Sequence, residues 1–143
     1  MEDYLTAVPY RISTALRVVE KQWGIEIWRK NDEDYCIKWL VLTPGWRCSE
    51  HYHPMKKETF IVMHGTCTVS LDGKEVLAIP GDQFEIEPGM KHWFGVESGE
   101  PCTLLEVSTF HSDEDVVRIR PSEPYKYSTS NIIKKMENPD IAA

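Results

Sequence analysis

The run Gly45-Trp-Arg-Cys-Ser-Glu-His51-Tyr-His53-Pro-Met-Lys56-Lys-Glu58-Thr-Phe-Ile-Val-Met-His-Gly65 sets two histidines and a carboxylate between two glycines. Side chains alternate along a strand, so His51 and His53, two residues apart, present both imidazoles to one face. Glu58 follows a turn marked by Pro54 and returns to that face from the next strand. A further histidine ends the run Gly89-Met90-Lys91-His92, about one β-hairpin later. Three imidazoles and one carboxylate make a mixed nitrogen and oxygen donor set. Such a set suits Mn, Fe, Ni, Co or Zn.

Working outward, the stretch from Glu58 to His64 alternates, with Glu58, Phe60, Val62 and His64 on one face. His92 likewise shares a face with Phe94 and Val96. Short runs of this kind recur at 16–20, 24–29, 35–42, 49–53, 58–64, 67–71, 75–79, 83–87, 92–97, 102–110 and 116–120. Their spacing is that of an all-β sandwich or barrel. Asp72-Gly73 joins two runs as a hairpin turn of the primed type, and Pro44-Gly45, Pro80-Gly81-Asp82 and Pro88-Gly89 mark other turns. About eleven short strands predict a double-sheet jelly roll with a pocket between its sheets.

The chain has 143 residues, enough for one domain without disulfides. We place the domain at 1–120 and a polar, proline-bearing tail at 121–143, with one or two helical turns at 131–137. A net charge of −7 argues against a nucleic-acid groove or an anionic membrane surface. No apolar stretch reaches membrane-spanning length, and the opening Met-Glu-Asp-Tyr is neither a signal nor a transit peptide. A cytoplasmic location is expected. Cys36, Cys48, Cys67 and Cys102 form no Cys-x-x-Cys pair and read as reduced, buried thiols. On a continuous strand Cys48 would face away from His51.

The spacing from Gly45 through His51, His53 and Glu58 to Gly65 resembles the first motif of the cupin superfamily. Gly81, Gly89 and His92 resemble the second, although Glu87 stands where that motif carries proline. The resemblance covers about residues 38 to 108. It implies a single-domain all-β cupin double-stranded β-helix, in which His51, His53, Glu58 and His92 hold one divalent metal, Mn being favoured. Cupin barrels also pair through an edge or an N-terminal strand, so a homodimer is implied, with 16–29 as the candidate edge.

Within that superfamily, Cys-Ser-Glu-His-Tyr-His-Pro, Lys-x-Glu-Thr-Phe, Lys-His-Trp-Phe and Glu-Val-Ser-Thr are similar to short D-lyxose isomerases. The compact interval from Gly65 to Gly81 is similar to cupins of the phosphomannose isomerase type. Both imply a sugar substrate and aldose–ketose isomerisation through an enediolate. That chemistry needs a base and an acid beside the metal. Glu106 is the candidate base, while Lys56, with Lys38 in support, is the candidate for polarising an oxygen or donating a proton. Each has a plainer alternative: Glu106 as a partner of a ligand histidine, Lys56 as a solvated loop charge like Lys57. His64 and His111 carry no motif support, and Asp113, Glu114 and Asp115 read as a solvated turn. Two competing functions remain, an Fe(II) dioxygenase on the same four ligands and a non-catalytic module that binds metal and sugar. Inward-facing Lys56 and Glu106 would favour the isomerase.

Overall fold

A computed structural model describes residues 17–125. In chain order its strands are β1 (Arg17–Lys21), β2 (Gly24–Asn31), β3 (Cys36–Leu42), β4 (Trp46–Arg47), β5 (Glu50–Tyr52), β6 (Glu58–His64) and β7 (Cys67–Leu71). There follow β8 (Lys74–Ala78), β9 (Gln83–Ile86), β10 (His92–Val96), β11 (Cys102–Ser108), β12 (Val117–Arg120) and β13 (Glu123–Pro124). One sheet runs β1-β2-β3-β11-β6-β9; the other runs β12-β5-β10-β4-β13, with β7 and β8 added beside β10. No helix occurs among the described residues. The all-β jelly roll expected from the alternation is the fold observed.

Each of the eleven expected runs contains a strand. The two strands not anticipated, β4 and β13, are two residues long and pair with each other, too short to show any alternation. Pro124 is tolerated there because β13 lies at the edge of its sheet. Hydrogen bonding of the barrel therefore runs past Arg120, where the tail was expected to begin. The helical turns expected at 131–137 lie outside the described residues. At the β7–β8 hairpin, Asp72 and Gly73 have φ of 49° and 84°, the positive pair a primed turn requires.

The register divides the barrel interior into two halves. In β3, β11 and β6 as far as Val62 every second residue is buried; His64, expected on the same face as Glu58, is exposed. Leu104 of β11 faces Leu40 on one neighbour and Val62 on the other. Two residues on, Glu106 faces Lys38 and Phe60, and Ser108 faces Cys36 and Glu58. One end is thus apolar, closed across the sheets by Phe60 against Phe94 with ring centroids 4.7 Å apart. The other end holds charge. β10 departs from alternation, because all five of its residues are buried. Its outer face is covered too: Tyr125 packs edge-on against Trp93 at 5.4 Å, and a side chain at Gly95 would overlap Arg47 and Tyr125.

All four cysteines are buried and free. Cys48 sits in the break between β4 and β5, so the strict alternation that would turn it away from His51 does not apply. Its Sγ accepts a hydrogen bond from the Phe94 amide at 3.2 Å, and it borders the same pocket as His51.

Candidate active site

The histidines come from one sheet. His51 in β5 lies directly opposite His92 in β10, and His53 follows β5 on the same side. The ring centroids are 4.5 Å apart for His51 and His92, 5.0 Å for His51 and His53, and 5.7 Å for His53 and His92. One ring nitrogen from each lies within 4.8 Å of the others. Glu58 opens β6 on the facing sheet; its Oε1 is 3.6 Å from His53 Nε2 and its Oε2 is 3.3 Å from His92 Nε2.

Backbone carbonyls fix the tautomers. Nδ1 of His51 lies 2.8 Å from the Ser49 carbonyl, Nδ1 of His53 2.6 Å from that of Asp115, and Nδ1 of His92 2.9 Å from that of Met90. A carbonyl only accepts, so each Nδ1 carries the hydrogen and each neutral ring keeps a lone pair on Nε2. Burial first, then the positive charge its histidine neighbours would carry, pushes His51 down to about 3, and burial also lowers His53. Burial alone would raise Glu58, yet the Lys56 ammonium 3.1 Å away helps to hold the carboxyl well below its usual range. The carboxylate Oε2 is nevertheless buried without a hydrogen bond. Lone pairs and a carboxylate converging with no hydrogen between them are reconciled by a cation. The donor set fits a divalent metal of the N/O-binding group.

A second cluster stands on the facing sheet. Lys56, buried at 2% exposure, places Nζ 2.7 Å from Glu106 Oε2 and 3.1 Å from Glu58 Oε1. Burial works to deprotonate it, but Glu106 and Glu58 prevail and its pKa is raised. The solvated-loop alternative for Lys56 is therefore overturned. Glu106 Oε2 also accepts from Ser108 Oγ at 2.8 Å, and no ligand histidine is among its hydrogen-bond partners. Lys38 is likewise buried; its Nζ is 3.3 Å from Glu26 Oε1 and 3.8 Å from the Trp28 ring centroid. Apart from Ser108, these residues line one cavity of about 190 Å³, together with the three histidines.

Three residues the sequence undervalued support the site, His111 from within the pocket lining and Asn31 and Asp115 from behind it. His111 Nδ1 lies 2.9 Å from Lys56 Nζ and its Nε2 3.0 Å from Asp113 Oδ1. The ammonium donates to Nδ1, so Nε2 carries the ring hydrogen toward Asp113; burial, then Lys56 and Lys38, lowers the His111 pKa. Asn31 fastens the His111 backbone through both side-chain atoms, at 2.9 and 2.8 Å. Asp115 is no solvated turn: its carbonyl holds His53 and its carboxylate accepts the Met55 and Lys56 amides at 2.9 and 3.0 Å. The density of Ser and Asp from 112 to 115 was a signal for such backbone capping. Nothing in the sequence linked Asn31 to His111, eighty positions away. His64 lies outside the site, exposed beside Glu100.

Residues 38–108 match the cupin domain family, and the chain belongs to the cupin superfamily. It is 31% identical to a D-lyxose/D-mannose isomerase of Thermosediminibacter oceani, over 59% of this chain and 61% of that protein. It is 29% identical to mannose-1-phosphate guanylyltransferase 2 of Escherichia coli O157:H7, over 78% of this chain and 23% of the relative. Pac13 of Streptomyces, described as a nucleoside dehydratase, superposes with a TM-score of 0.64 at 16% identity, over 80% of this chain and 93% of its own. That likeness concerns the fold. The chain spans about 60% of the length of the isomerases first matched.

Proposed function

We propose that this cupin is a metal-dependent aldose–ketose isomerase acting on a sugar or sugar derivative. One observation carries the reading: the Lys56–Glu106 pair, 2.7 Å apart and buried, abuts the carboxylate of a four-residue metal-ligand set. Likeness to sugar isomerases supports it at the level of reaction class. His51, His53, Glu58 and His92 would hold a divalent ion, which would supply Lewis-acid charge to stabilise the enediolate. The protein's own groups then move the protons. Glu106 takes the proton from the carbon beside the carbonyl, leaving an enediolate, and returns it to the adjacent carbon. Its contacts with Lys56 and Ser108 both fall on Oε2, which leaves Oε1 for that transfer. Lys56, held protonated, donates to the oxygen on which charge develops and recovers a proton from the neighbouring hydroxyl as that group becomes the new carbonyl. Lys38, pinned between Glu26 and Trp28, binds and orients a substrate hydroxyl. Among the described residues β1 ends its sheet, which supports pairing with a second copy as a homodimer.

An oxygenase pocket for an apolar substrate has little use for two buried lysines and four carboxylates. The test is NMR of the Mn(II)-loaded and metal-stripped chain in D2O with pentoses, hexoses and their phosphates. Interconversion, or deuterium entering at the carbon beside the carbonyl, is expected only with metal. Silence across the panel would transfer the reading to an Fe(II) dioxygenase or a binding module.

A further inference from the structure

Two arginines of the pocket take no part in the chemistry above. Arg17 of β1 and Arg118 of β12 line the cavity from opposite sheets. Arg118 is the register partner of His51. Arg17 is the register partner of Trp28 and holds its guanidinium carbon 4.6 Å from that ring's centroid. The remaining lysines of the lining are matched by carboxylates: Lys56 by Glu58 and Glu106, Lys38 and Lys21 by Glu26. Elsewhere, Arg47 pairs with Glu123 and Arg120 with Glu50. Among the described residues neither Arg17 nor Arg118 has a carboxylate within ion-pair distance.

This imbalance runs against the composition. With 23 acidic and 16 basic side chains, acids are in surplus, yet the pocket carries two cations without one. Five cationic side chains against four carboxylates leave the lining net positive, and a metal in the histidine site would add to that field. Guanidinium groups offer forked donors that match phosphate and carboxylate oxygens. A neutral sugar would leave both unused. We propose that the substrate is a sugar bearing an anionic group, a phosphate or a carboxylate, away from its reacting carbons, and that Arg17 and Arg118 bind that group. The proposal rests on the isomerase reading for the word substrate, but the subsite itself is tested by binding alone.

Calorimetric titration of the Mn(II)-loaded chain with D-glucose, D-glucose 6-phosphate and D-glucuronate changes only the substituent at C6; inorganic phosphate probes the subsite without a ring. At least one anionic sugar should bind about tenfold or more tightly than glucose, the scale of a charge-assisted pair. In the Arg17→Gln/Arg118→Gln double variant that gap should shrink to within about twofold, while Arg29→Gln, outside the pocket, leaves it intact. Both arginines are exposed, so the double variant should keep its unfolding midpoint. Preference for the phosphate or for the uronate identifies which anion is read. Equal affinity for all three sugars, a gap that survives the double substitution, or no binding of any anion overturns the proposal. Anion preference without deuterium exchange would remove the isomerase and keep the subsite; exchange without anion preference would do the reverse.

Discussion

The two walls of this pocket are built by opposite logic. The β5–β10 wall presents imidazoles, each with its Nδ1 directed to a backbone carbonyl and its Nε2 turned inward. The β3–β6–β11 wall presents charge: Lys38, Lys56, Glu58 and Glu106, all nearly inaccessible. Burying ions costs several kcal/mol each even after relaxation, and hydrophobic residues in their place are often as stable. The charged wall is therefore a poor way to make a core and a good way to move protons. Glu58 belongs to both, touching His53 and His92 on one side and Lys56 on the other.

If the walls have separate duties, they should fail separately. Glu106→Gln should lower kcat by about 10² to 10⁴, the range for a positioned acid or base, while metal content stays at wild-type level. His92→Ala should do the opposite first, losing metal in elemental analysis. Equal metal loss in both variants would erase the division. Lys56→Met should strand two facing carboxylates and lower unfolding free energy by about 3–5 kcal/mol in chemical denaturation. An unchanged midpoint would mean the carboxylates find another cation or a proton. Asp115→Ala removes the acceptor for the Met55 and Lys56 amides but keeps the carbonyl that orients His53. It should cost about 1.5–3 kcal/mol and weaken metal binding by less than about tenfold.

The histidine wall was largely legible beforehand, because His51 and His53 are neighbours on one strand and Glu58 lies one turn further on. The charged wall was legible only in part. Lys56 stands in a Pro-Met-Lys-Lys loop, and sequence alone could not separate it from Lys57. Lys57 is half exposed against Glu87, whereas Lys56 is enclosed because the 109–116 segment folds over it.

By itself, then, the sequence determined eleven of the thirteen strands, the turns, and the approach of His51, His53 and Glu58, since these follow from period-two alternation and short spacings. Only the tertiary structure decided that Glu106 meets Lys56, that Asn31 holds His111 and that Arg17 and Arg118 share a pocket. Those contacts join segments 50 or more positions apart, and they are set by the packing of the whole barrel rather than by any local pattern.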